Sequence, residues 1–249
     1  MLEAVLFDYG DTLVEYNPEW AEEQWLAIGH ECAARCCRFL EERGYGTFSA
    51  AEFLQAYVRA REPYRRRWQQ DEPDQPGERA FARILQSLNV NVEENVLKEL
   101  ADEAYVPIAA LARLAEGVPD VLRELRESGL RLGVVSNTPF AISARHVFGD
   151  MRRWDDLDRY FDVILLSANG YRRKPHAEMF KRALSDLQVA PSEALFVGDE
   201  PLNDVVGARR VGMKAVLKKF AWKPYEMETV PDFVVTSLNE LPRIVQEIE

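Results

Sequence analysis

Apolar residues open the chain as a short unbroken run, Ala4-Val5-Leu6-Phe7, which stops at Asp8. That is the pattern of a buried strand carrying a polar residue to its end. The spacing then turns helical. Asn17 with Pro18 predicts a helix start and Gly44 its end. Between them Trp25, Ile28, Cys32, Cys36 and Phe39 recur every three or four residues as one apolar face. Ser49 and Glu52 predict a capping box for a second helix, whose face carries Phe53 and Tyr57 and which Pro63 bends or ends. The polar stretch from Gln69 to Gly77 reads as a loop around Pro73 and Pro76. Two more helical patterns follow, one through Phe81, Ile84, Leu85 and Leu88 and one through Val96, Leu97 and Leu100.

The period changes near residue 117. Pro119 starts a helix that Gly129 ends, and apolar runs at Leu132–Ser136, Val163–Leu166, Ala194–Val197, Ala215–Leu217 and Phe233–Val235 read as strands. Strands that alternate with helices imply an α/β fold with a doubly wound, mostly parallel sheet. The first strand belongs with this set, because a lone strand among helices leaves its backbone groups unpaired. The expected organisation is an α/β core of residues 1–14 and 117–249 with an all-helical insertion over 15–116. Ligands of such sheets bind at the carboxyl ends of strands. The polar residues that follow the apolar runs fall there.

Composition narrows the function classes. A net charge of -11 argues against nucleic acid as a bulk partner, since an acidic surface repels phosphate at long range. No apolar run approaches the roughly 20 residues that span a bilayer. Acidic residues interrupt the N-terminal sequence before a signal-peptide core can form, so a cytoplasmic location without a membrane partner is expected. Cys32, Cys36 and Cys37 cluster with His30 nearby, but tetrahedral ligand spacing is missing. They read as buried, reduced thiols rather than a metal site.

Four polar signals follow four of the apolar runs: Asp8-Tyr9-Gly10-Asp11-Thr12, Ser136-Asn137 after Val134-Val135, Arg173-Lys174-Pro175, and Asp199-Glu200-Pro201-Leu202-Asn203-Asp204 after Val197-Gly198. Any one of them alone is ordinary turn, cap or surface sequence. Together, in this order and at one end of one sheet, they resemble the haloacid dehalogenase superfamily. The resemblance covers the whole α/β core, and the helical insertion looks like the family's C1-type cap, although no motif within it matches.

That resemblance implies a Mg²⁺-dependent phosphohydrolase that acts on a small phosphorylated molecule through an aspartyl-phosphate. Asp8 is then the nucleophile. Asp8, the backbone carbonyl of Gly10 and Asp199 are implied direct ligands of Mg²⁺, with Asp204 holding a metal-bound water or orienting Lys174. Ser136, Asn137 and Lys174 are the implied phosphate-binding residues, Asn137 through its backbone N–H, and Thr12 supports the loop by hydrogen bonding. The residue types suit the chemistry: a carboxylate attacking a phosphate dianion needs a hard cation and fixed positive charge to overcome repulsion.

One position departs from the family pattern. The usual general acid/base stands two residues after the nucleophile, where this chain has Gly10. Asp11 is the neighbouring candidate for proton transfer. The departure leaves two rivals: a phosphonatase-like C–P hydrolase, which needs a cap lysine, and a phosphate-binding protein that lost turnover with its acid. Lys98 is the one lysine within 15–116, on a helix face that reads as solvated. Arg59, Arg61, Arg65, Arg66 and Arg67, interleaved with Tyr64 and Trp68, read as an exposed basic helix end that offsets nearby acids, with an anionic-substrate anchor as the alternative.

Overall fold

The computed structural model describes residues 1–16, 22–225 and 229–248. Its centre is a six-stranded parallel sheet. The strands are β1 (Ala4–Phe7), β4 (Arg131–Ser136), β5 (Val163–Leu166), β6 (Ala194–Gly198), β7 (Lys214–Lys218) and β8 (Phe233–Val235), in the order β5-β4-β1-β6-β7-β8. A two-residue antiparallel ribbon, β2 (Val14–Glu15) with β3 (Arg113–Leu114), stands where the chain leaves this sheet and returns. Among the described residues between β2 and β3 lie four helices: α1 (Glu22–Glu42), α2 (Ala50–Gln69), α3 (Gly77–Ser87) and α4 (Glu94–Leu111). The helices α5 (Val118–Glu127), α6 (Ala144–Arg153), α7 (Ala177–Leu187), α8 (Gly207–Arg210) and α9 (Leu241–Ile248) alternate with the later strands.

β1 pairs with β4 on one edge and β6 on the other, and helices cover both faces of the sheet, so all four of its residues are buried. This is why it reads as an unbroken apolar run rather than an alternating one. Val5, Phe7, Leu132, Val134, Leu195 and Val197 pack on one face, towards α5, α6 and α9. Leu6, Val135, Phe196, Ala215 and Leu217 pack on the other, towards α7 and α8. Gly133 permits this packing, since a Cβ there would lie 2.6 Å from Leu6 Cδ2 and 2.7 Å from Val163 Cγ1. From β1 the chain builds outward through β4 and β5 on one side and β6, β7 and β8 on the other. The carboxyl end of β1 is therefore a topological switch point, where a crevice opens.

The four helices share their own core through Cys36, Leu40, Phe53, Tyr64, Phe81 and Leu100, which Phe140 joins from the strand side. The predicted α1 face is rotated from expectation. Ala33, Cys36, Cys37 and Leu40 are buried, whereas Trp25 is 43% exposed and Ile28, Cys32 and Phe39 are half-buried. The helix packs on α2 and α4 at once, which widens the buried stripe and shifts its centre. Gly44 ends α1 in the left-handed region at φ +78, which suits a residue without Cβ. The expected start at Asn17 and Pro18 lies outside the described residues.

Ser49 and Glu52 form the predicted capping box. Pro63 does not end α2, which continues to Gln69. Packing of Ala60 and Tyr64 on either side offsets the backbone hydrogen bond a proline removes. The insertion is not wholly helical, because β2 and β3 fall at its ends; two-residue strands are too short to leave a periodic signal. No helix among the described residues is long and apolar enough to cross a membrane.

Candidate active site

Asp8 follows β1 directly, and its N–H donates to the Val197 carbonyl at 2.9 Å, so the strand delivers it between the ends of β4 and β6. Ser136 closes β4, and Asp199 follows the last residue of β6. Lys174 comes from the loop before α7. Asp8, Gly10, Asp11, Ser136, Asn137, Lys174, Asp199 and Asp204 all line one cleft of about 320 Å³. Every site residue expected from the sequence thus reaches the same crevice.

Lys174 Nζ donates to Asp8 Oδ1 at 2.7 Å and lies 2.7 Å from Asp204 Oδ1, close enough to pair but off the axis of a hydrogen bond. Burial alone would lower its ammonium. The carboxylates of Asp204 and Asp8 outweigh that and hold it above the ordinary lysine range. Asn137 fixes this lysine from behind. Its side-chain amide donates to the Lys174 carbonyl at 3.0 Å and its Oδ1 accepts from the Lys174 N–H at 2.8 Å. The side chain is therefore spent on positioning, a role the sequence did not suggest.

Asp204 sits in a π-helical turn, Pro201–Val206, and its Oδ2 accepts from the Glu200 N–H at 2.9 Å. The turn lies so close to β6 that a Cβ on Gly198 would meet Asp204 Oδ2 at 2.3 Å, which accounts for a glycine before Asp199. One oxygen each from Asp8, Asp199 and Asp204 lies within 4.8 Å of the others. Two carboxylates at 4.8 Å repel by about 3.5 kcal/mol at an effective dielectric of ~20. Burial, then repulsion from the Asp204 and Asp8 carboxylates, raises Asp199 above the carboxylate range; burial raises Asp204 as well, opposed by the Lys174 ammonium and helped by the Asp8 carboxylate. A buried all-oxygen set with excess negative charge fits a hard divalent cation such as Mg²⁺.

The loop after Asp8 holds two surprises. Thr12, expected to brace it through its hydroxyl, is fully buried with that oxygen unpaired among the described residues. The bracing comes from Lys218 at the end of β7. Its Nζ donates to the carbonyls of Asp11 and Thr12 at 3.2 and 3.1 Å and to Glu15 Oε1 at 2.8 Å. A lysine closing an apolar strand was the signal available for this. Asp11 adopts a left-handed conformation at φ +55, and burial raises its carboxyl. Gly10 leaves room in the loop, since a Cβ there would meet only Tyr16 Cε2, at 3.8 Å.

Lys223, after β7, was not foreseen either. Its Nζ donates to Asp199 Oδ2 at 2.6 Å and also to Glu200. Nothing in its local sequence marks it. A second group, centred on Asp74, ties the loop after α2 to the crevice wall. Asp74 Oδ2 accepts from Ser167 Oγ at 2.6 Å and Arg173 Nη1 at 2.8 Å, and its Oδ1 accepts from Trp68 Nε1 at 3.2 Å. Of the three cysteines expected to be buried thiols, Cys36 and Cys37 are buried and Cys32 is half-buried.

The model of the haloacid dehalogenase-like hydrolases matches residues 2–212. A glyceraldehyde 3-phosphate phosphatase of Pyrococcus furiosus is 30% identical over 145 residues, 55% of this chain and 55% of the relative. A phosphoserine phosphatase of Thermus thermophilus is 34% identical over 120 residues, 48% of this chain and 46% of the relative. The chain thus spans about half the length of these curated relatives. Among solved structures, a 2-haloacid dehalogenase from Pseudomonas syringae superposes with a TM-score of 0.71 at 22% identity, covering 100% of both chains, a likeness of fold.

Proposed function

The chain belongs to the haloacid dehalogenase-like hydrolases, and from that premise we propose that it hydrolyses small phosphomonoesters through an aspartyl-phosphate on Asp8, with Mg²⁺ as cofactor. The observation that carries this is the placement of Lys174 Nζ between Asp8 and Asp204, in a cluster of three buried carboxylates at the switch point of the sheet. The phosphatase names of the two relatives support the same chemistry.

In this reading the four helices act as a cap over residues 15–116 and the rest as the catalytic core. Asp8, the Gly10 carbonyl and Asp199 would hold Mg²⁺, which when bound would supply the charge neutralisation that lets a carboxylate approach a phosphate dianion. Asp8 attacks phosphorus while the bond to the leaving oxygen breaks. Lys174, the Ser136 hydroxyl and the Asn137 N–H stabilise the equatorial oxygens. Asp204 keeps Lys174 charged and in place. Asp11 is the candidate donor of the proton that the leaving oxygen takes. Water then cleaves the acyl phosphate, releasing phosphate and restoring Asp8.

Two observations weigh on the rivals. Lys98 pairs with Glu94 on an exposed face of α4, so it supports no cap-lysine chemistry of the phosphonatase kind. Asp11, raised and facing the cleft, favours an enzyme over a binding protein. The test is a screen of the purified protein, with Mg²⁺ and with chelator, against phosphate esters, acyl phosphates and phosphonates. Metal-dependent release of phosphate from esters is expected. Turnover of phosphonates alone, or of nothing, overturns the proposal.

A further inference from the structure

Beside the catalytic crevice lies a second cleft of about 340 Å³, which shares Asn137, Arg173, Lys174 and Asn203 with it and takes its outer wall from α2. Arg61 and Arg65 stand on that wall, four residues apart and so on one face of the helix. Their neighbours are neutralised: Arg66 pairs with Glu62 at 3.3 Å and Arg67 with Glu72 at 2.9 Å. Arg61 and Arg65 have no ion pair among the described residues. The other acids on the cleft are Glu72, already held by Arg67, and Asp71. Two free guanidiniums therefore face one free carboxylate, on a chain whose net charge is -11.

The wall is also fixed in place. Trp68, three residues after Arg65, stacks under the Arg173 guanidinium at 4.0 Å and donates to Asp74, while Arg173 pairs with the same Asp74 at 2.8 Å. Asp74 is 6% exposed, and breaking one partner of a buried pair is strongly unfavourable. This clamp joins the C-terminal half of α2 to the residue next to Lys174. Arginine at such a position offers a planar fork matched to carboxylate and phosphate oxygens.

We propose that Arg61 and Arg65 form a second anion subsite, so that the preferred substrates are phosphomonoesters bearing a further carboxylate or phosphate. This rests on the phosphohydrolase reading for the first phosphate. With the scissile phosphate at Lys174 and Ser136, the rest of the molecule extends along the shared wall, and its distal anion meets the two arginines.

The test compares three matched alkyl phosphates at low ionic strength: one with an unsubstituted tail, one ending in a carboxylate and one ending in a second phosphate. Each is tried over several short chain lengths. The wild-type protein is expected to favour the anionic tails by roughly tenfold in kcat/KM, through KM, because charge-assisted hydrogen bonds to exposed arginines are discounted by screening. Which anionic tail gains more distinguishes a carboxylate from a phosphate ligand. In Arg61→Ala and Arg65→Ala the ratio of anionic to neutral tail falls towards one, and Arg65→Lys restores part of it. A ratio near one in the wild type, or an unchanged ratio in both alanine variants, overturns the subsite. Calorimetry with alkylphosphonates and α,ω-alkanebisphosphonates gives an independent reading of the same ratio. If no ester is turned over yet the bisphosphonates still bind tighter in an Arg61- and Arg65-dependent way, the catalytic reading fails and the subsite stands. Equal binding of both phosphonates overturns the subsite alone.

Discussion

Asn137 and Lys174 are tied to each other twice, through an amide that donates to the Lys174 carbonyl at 3.0 Å and accepts from its N–H at 2.8 Å. The pair crosses from the end of β4 to the loop before α7, so it sets where Lys174 Nζ meets Asp8 and Asp204. Asn137→Ala removes both bonds and leaves two buried backbone groups unpaired, a cost of about 1–3 kcal/mol each at most. Small displacements of a positioned charge reduce rates by up to ~10²-fold. Asn137→Ala is therefore expected to lower kcat by roughly 10–100-fold and to lower Tm. Thermal melts and steady-state kinetics on one preparation check both. A variant with unchanged kcat would show that Lys174 is held by its ion pairs alone.

Asp8→Asn tests the nucleophile. The amide keeps the shape of the side chain but cannot attack phosphorus as a carboxylate does, and loss of a covalent nucleophile costs at least ~10⁴-fold in typical enzymes. The expected result is loss of turnover with an unchanged circular dichroism spectrum. Acid-stable label from a phosphorylated substrate should appear on the wild type and be absent from the variant. Turnover within tenfold of wild type would remove Asp8 from this role.

The two acids after β6 are expected to differ. Asp204 already meets Lys174 and the Glu200 N–H, whereas the side-chain partner of Asp199 is Lys223. A cation in the cleft would compete with Lys223 for Asp199. Chelator should abolish activity and Mg²⁺ should restore it. Asp199→Ala should raise the Mg²⁺ concentration for half-maximal rate by more than Asp204→Ala does, while Asp204→Ala should chiefly reduce kcat. Full activity in excess chelator contradicts the metal assignment.

Much of this site was legible because a parallel sheet concentrates its chemistry. Each motif follows an apolar strand, and parallel strands end at the same edge, so Asp8, Ser136 and Asp199 had to converge once the strands were recognised. Lys174, which belongs to a loop, was readable only from its likeness to a family motif. What escaped notice depends on residues distant in sequence. Lys218 braces Thr12 across 206 positions and Asp74 reaches Arg173 across 99, and neither spacing has a period. The buried face of α1 departs from its apolar periodicity for a related reason. Periodicity marks an apolar stripe, but its buried centre is set by whichever helices pack against it.

Gly10 and Asp11 decide how the leaving oxygen is protonated. An alkoxide is a poor leaving group unless it is protonated as the P–O bond breaks, and a positioned acid typically contributes about 10²–10⁴-fold. A phenolate is the conjugate base of an acid of pKa about 10 and a carboxylate of one of about 4, so each needs progressively less help. The family's usual acid position is Gly10, and Asp11 reaches the cleft only through a left-handed turn that redirects its side chain. Burial raises its carboxyl, which moves it towards a pKa at which it can hold a proton to give. If Asp11 serves, the wild type shows a shallow dependence of rate on leaving-group pKa and Asp11→Asn a steep one, with alkyl esters losing far more than aryl or acyl phosphates. If it does not, the wild type is already steep and Asp11→Asn changes little. Gly10→Asp should then flatten the slope, because the space beside Gly10 accepts a Cβ with its nearest contact at 3.8 Å. Rate-versus-pKa plots over a matched ester series for the three proteins separate these accounts. A shallow wild-type slope that stays shallow in Asp11→Asn would mean that another group in the crevice protonates the leaving oxygen.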